Sequence, residues 1–131
     1  MSRRELREQI FKLLFRVEFN SPEDMAEQEE LFFEQEDAAQ GEDADYISDK
    51  FNMISERITE LDGLLNQKAE GWNTARMGKV DLTILRLAVY EIRYDDSVQT
   101  GVAINEAVER AKKFGQEASA GCVYGLRAQF A

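Results

Sequence analysis

The chain has 131 residues, 44% hydrophobic and 32% charged, a soluble profile that suits one domain with one sizeable core and leaves no room for a second, catalytic one. It has no histidine and one cysteine, Cys122, which excludes His-based triads, His-ligated metals, cysteine zinc sites and an internal disulfide. The net charge of −10 is uneven: residues 20–49 hold twelve acids and no base, so the rest sums to +2, and screening over about 8 Å still permits a local basic site.

Ser2-Arg3-Arg4-Glu5 has the pattern of a capping box. From it, Leu6, Ile10, Leu13, Leu14 and Val17 fall on one face of a first helix. This charged start does not resemble a signal peptide. Ser21-Pro22 predicts a second helix start, with Met25, Leu31, Phe32 and Phe33 as its apolar side. This helix is expected to end before the stretch Gln40–Asp43, which contains Gly41 and carries no apolar side chain. Ile47, Phe51, Ile54, Ile58, Leu61 and Leu65 then step by 4, 3, 4, 3 and 4, which predicts one continuous third helix ending near Gly71.

A polar turn around Trp72–Gly78 precedes Val80–Tyr94, apolar on most sides and therefore the central helix of a bundle. Its longest apolar run, Leu82–Tyr90, is interrupted by Arg86 and falls short of the roughly 18–20 residues that span a bilayer. A cytoplasmic protein without membrane contact is expected. Val102–Phe114 predicts the next helix, with Gly115 as a left-handed cap, and Glu117–Phe130 the last. The fold class expected is all-α, six or seven helices in one domain spanning residues 1–131.

The first helix carries a second stripe. With Leu6 at 0°, Arg7, Phe11, Arg4 and Phe15 lie at about 100°, 140°, 160° and 180° on the helical wheel. Guanidinium groups grip phosphate and aromatic rings stack on unpaired bases, so this side suits single-stranded RNA. The alternative is that Phe11 and Phe15 pack on another helix while the arginines are merely solvated. Arg110, Lys112 and Lys113 form a second basic group, which also complements a helix C-terminus. The acidic run is most simply a solvated face. No Gly-Lys-Ser/Thr follows Gly115, Gly121 or Gly125, so there is no phosphate loop. Cys122 has no imidazole to activate it as a nucleophile, and Trp72 reads as a hydrophobic plug. No cofactor, metal or catalytic residue is expected.

The opening Ser2-Arg3-Arg4-Glu5-Leu6-Arg7-Glu8, the run from Val80-Asp81-Leu82 through Ile84-Leu85-Arg86-Leu87-Ala88-Val89-Tyr90-Glu91-Ile92, and Val102-Ala103-Ile104-Asn105-Glu106-Ala107-Val108 with Ala111-Lys112-Lys113-Phe114-Gly115 resemble the NusB family of bacterial transcription antitermination factors. The resemblance spans nearly the whole chain. It implies two small helical subbundles and a non-enzymatic adaptor. Its implied partners are boxA RNA, the ribosomal protein NusE, and the transcription elongation complex with other Nus factors, giving read-through notably in ribosomal RNA operons. It further implies RNA contacts at Arg3, Arg4, Arg7 and Phe15 and a protein-partner contact at Asp81. Phe11 on the same side of the first helix and the basic Lys112 and Lys113 are further candidate RNA contacts, and Glu91 a further candidate partner contact.

Near the end the chain departs from the family pattern: Glu117-Ala118-Ser119 replaces Glu-Asp-Ser, and Cys122-Val123-Tyr124-Gly125 replaces Phe-Val-Asn-Gly. Cys122 offers no ring where the family has one, and Tyr124, about 200° further round the helix, is not a direct stand-in. Weaker or altered RNA affinity is the expectation. A second reading is a protein-binding or self-associating bundle, in which a homodimer hides the RNA surface. A third, an RNA methyltransferase module, lacks the cofactor-binding glycine motif.

Overall fold

The computed structural model describes residues 1–68, 73–116 and 119–130, without the side chains of Lys68, Ala120, Cys122, Arg127 and Ala128. The expectations for Gly71, Trp72, Glu117, Ala118 and the Cys122 side chain lie outside the described residues. Seven α-helices and one 3₁₀ turn make up the described secondary structure, with no strand among the described residues: α1 (Arg3–Phe15), the turn Arg16–Phe19, α2 (Met25–Phe33), α3 (Gly41–Ser55), α4 (Ile58–Lys68), α5 (Lys79–Tyr94), α6 (Thr100–Phe114) and α7 (Ser119–Phe130). The chain divides into two compact units, Met1–Glu56 and Arg57–Ala131.

In the first unit, α1 starts on the expected capping box: the Glu5 N–H donates to Ser2 Oγ and the Ser2 N–H to Glu5 Oε1, both at 3.1 Å. Ile10, Leu13 and Leu14 of α1 and Ile47, Phe51 and Ile54 of α3 are buried, and these two helices pack together. Ser21-Pro22 opens a turn rather than the helix itself. The Asp24 N–H donates to the Ser21 carbonyl at 3.0 Å, and α2 begins at Met25. The second helix ends at Phe33, before Gln40 as expected, and Gly41 begins α3 at φ +60°, a region open to a residue without Cβ.

The expected single third helix is two, α3 and α4, broken at Glu56–Arg57. No proline or glycine marks the break, and the 4-3-4 stripe runs straight across it. Its halves serve different cores: Ile47, Phe51 and Ile54 belong to the first unit, Leu61 and Leu65 to the second.

In the second unit, α5 packs against α4, α6 and α7. Every residue from Leu82 to Glu91 is buried, as expected of a central helix. The polar members of this run have partners. The Thr83 hydroxyl donates to the Lys79 carbonyl at 2.7 Å, and Arg86 donates from Nε and Nη2 to the two Asp62 oxygens at 2.8 and 2.7 Å. Gly115 ends α6 in extended backbone (φ −88°, ψ −176°), not in the left-handed cap expected. Its requirement is space: a Cβ there would lie 2.6 Å from Ser119 Cβ and Oγ and 2.7 Å from the Ala111 carbonyl oxygen.

Candidate nucleic-acid interface

The first turn of α1 presents Arg3 and Arg4 to solvent. Four backbone N–H groups at such a terminus lack helical partners and concentrate positive potential. The box satisfies one of them through Ser2 and fixes the backbone that carries the two guanidinium groups. Its acid is tuned by the same contacts: the Ser2 N–H, then the Ser2 hydroxyl, hold the Glu5 carboxyl below its ordinary pKa. Asp43 of α3 accepts from the Met1 ammonium at 2.9 Å, tying the start of the chain to α3.

Further along α1 the expected solvent-facing stripe is only partly exposed. Arg7 is 7% exposed and Phe11 3%, while Phe15 is half-buried. Arg7 and Phe11 are therefore corrected from surface groups to parts of the interior. The wheel angles place them together, but α1 buries more than one face. Aromatic surface appears one step later: Phe19, in the 3₁₀ turn, is 61% exposed and meets Phe15 edge-on at 5.1 Å. The sequence signal for Phe19 is the four-residue recurrence Phe11, Phe15, Phe19, which continues past the end of α1.

In the second unit, Lys112 and Lys113 are exposed near the end of α6, where their charge complements the helix dipole. Lys112 lies 3.8 Å from Glu109, and Lys113 sits over the Phe114 ring at 5.3 Å. Arg110 does not join them: it is 5% exposed and faces Glu91 at 4.0 Å. Glu91 is fully buried, so the expectation of a partner-binding surface residue is corrected there. Asp81 remains half-exposed in the first turn of α5. Tyr124 is 52% exposed on α7.

Between α2 and α3 lies an open groove of about 550 Å³ lined by Glu29, Glu30, Phe33, Glu34, Asp45 and Ser48, with Ala26 and Ala44. Its carboxylates repel phosphate, so an RNA backbone is disfavoured there. Among the described residues no group of three or more acids and cysteines is arranged to hold a metal ion, and no helix is long and apolar enough to cross a membrane.

Fold and site together define a class: a small all-helical scaffold with exposed cations at the start of α1 and the end of α6 and a central helix spent on packing. The NusB family profile matches residues 4–126. The chain is 49% identical over 131 residues to the transcription antitermination protein NusB of Agathobacter rectalis, covering 100% of both. It is 46% identical over 129 residues to that of Lachnoclostridium phytofermentans, covering 98% of both. Among solved structures it is similar to T. maritima NusB, with a TM-score of 0.86, 31% identity, and coverage of 100% of this chain and 91% of that one. The chain belongs to the NusB family.

Proposed function

We propose that this chain is a cytoplasmic antitermination factor. It binds boxA-type single-stranded RNA together with NusE, joins the elongation complex with other Nus factors, and promotes read-through, notably in ribosomal RNA operons. The observation that carries the reading is the exposure of Arg3 and Arg4 at the capped, electropositive end of α1. Phosphate binds there through guanidinium groups and the helix terminus acting together. Lys112 and Lys113 supply a second phosphate contact, and Asp81 faces the protein partner. Arg7 and Phe11 support the backbone beneath the contact surface instead of touching RNA.

The test is anisotropy titration of a labelled boxA strand and a scrambled strand, with and without NusE, at several salt concentrations. Specific binding that NusE tightens, with log affinity falling by about 0.7 per phosphate for each decade of salt, supports the reading. Equal affinity for both strands, or affinity flat in salt, overturns it. Light scattering adds a further outcome: a homodimer broken by Arg3→Glu/Arg4→Glu while RNA binding survives would assign this surface to self-association.

A further inference from the structure

We propose that Phe19 is the base-stacking platform of this protein, an assignment that rests on the RNA-binding reading above. The phenylalanines at 11, 15 and 19 form a graded series: 3% exposed, half-buried, and 61% exposed. Phe11 and Phe15 are nearly parallel, at 15° with centroids 6.3 Å apart, whereas Phe15 and Phe19 cross at 77° and 5.1 Å. A stacked base needs an open aromatic face. Phe11 has none, and Phe15, half-buried, stacked by Phe11 and met edge-on by Phe19, has only part of one. Phe19 is seated on its neighbour while more than half of its surface meets water, and covering that apolar surface with a base is favourable at roughly 25 cal/mol per Å².

The ring also stands on a fixed support. Arg16 donates from Nη1 to the Gln28 carbonyl at 3.2 Å, and its guanidinium lies 5.2 Å from the centre of the Phe32 ring. Asn20 Nδ2 donates to the Arg16 carbonyl at 2.8 Å, closing the turn that carries Phe19. Little backbone ordering is then left for binding to impose. The acidic segment 20–49 begins at the next residue, with twelve acids and no base. The segment that follows Phe19 thus supplies no cation for phosphate, and the contribution expected of the uncharged Phe19 ring itself is stacking. This separates it from Arg3 and Arg4 experimentally.

The experiment is salt-dependent titration of boxA RNA into the full chain and its Phe19→Leu, Phe19→Tyr and Arg4→Gln variants, with NusE affinity measured in parallel. Stacking is worth enough per base that Phe19→Leu is expected to weaken RNA binding roughly 5- to 100-fold. The salt slope should stay unchanged in that variant. Phe19→Tyr, which keeps the ring, is expected to stay within about threefold of the parent. Arg4→Gln should instead lower the slope by about 0.7. Parent-like RNA binding by Phe19→Leu overturns the assignment while leaving the RNA reading intact. So does a loss confined to NusE affinity, which would make Phe19 a protein contact. No boxA binding by the parent chain removes both.

Discussion

The two units differ in where they keep most of their charge. In Arg57–Ala131, cations and anions enter the interior as pairs: Arg86 is held by both oxygens of Asp62, and Glu91 lies fully buried 4.0 Å from Arg110. In Met1–Glu56, Arg7 and Lys50 are buried as well, but Arg3 and Arg4 stand exposed at the tip of α1, and Glu29, Glu30, Glu34 and Asp45 line the open α2–α3 groove. A basic residue in this sequence therefore has no fixed meaning. Arg86 and Arg110 are buried among packed side chains, whereas Arg3 and Arg4 are exposed and are the residues to which the phosphate contact is assigned in the proposal above.

That contrast can be broken at several points. The largest effect is expected from Glu91→Ala, which removes a fully buried anion facing the buried Arg110. Removing one member of a buried pair costs about 3–5 kcal/mol, read as a lower denaturant midpoint. If the midpoint barely moves, the second unit does not depend on its internal pair. Gly115→Ala comes next, because its methyl must displace Ser119 or the Ala111 carbonyl; overpacking of this kind costs about 1–3 kcal/mol. A neutral or stabilising result would show that the α6–α7 junction yields.

Smaller effects belong to the first unit. Ser2→Ala removes the cap, at about 1 kcal/mol. The Glu5 half of the box is pH-dependent. Its carboxyl has a lowered pKa in the folded chain, so its contribution is complete above the unfolded value of about 4.3 and disappears as pH falls through the folded one. Amide exchange in the first turn of α1 should accelerate over that acid range, and Ser2→Ala should flatten the response. Smallest for stability is Arg3→Glu/Arg4→Glu, expected within about 0.5 kcal/mol of the parent because both residues are exposed. The same variant should abolish boxA binding. A large loss of stability instead would place the two arginines among the packing residues and dissolve the contrast.

The sequence made local chemistry legible and left coverage hidden. The Ser2/Glu5 box, the enclosure of α5 and the packing stripes of α1 and α3 all follow from spacing. The α3–α4 break does not, because Ile54 and Ile58 keep the period while serving different units, and no helix-breaking residue announces the change. Gly115 was readable as a necessary glycine, but for the wrong reason: the close approach of Ser119 depends on tertiary structure. Arg7 and Phe11 show the same limit at the candidate site. A helical wheel says which side chains share a direction, whereas burial depends on what lies in that direction. The exposure of Phe19 is not legible from helical spacing, because the α-helix ends at Phe15 and the series continues into a 3₁₀ turn.

One consequence of the enclosure of α5 concerns inheritance. A helix with ten successive residues shielded from water leaves mutation little freedom, since nearly every replacement there opens a void or strands a polar group. The outward side of α2 faces no such restraint. Kinship written in the segment from Leu82 to Glu91 is consequently testimony about architecture, and two descendants sharing it could diverge at the tip of α1 in what they hold.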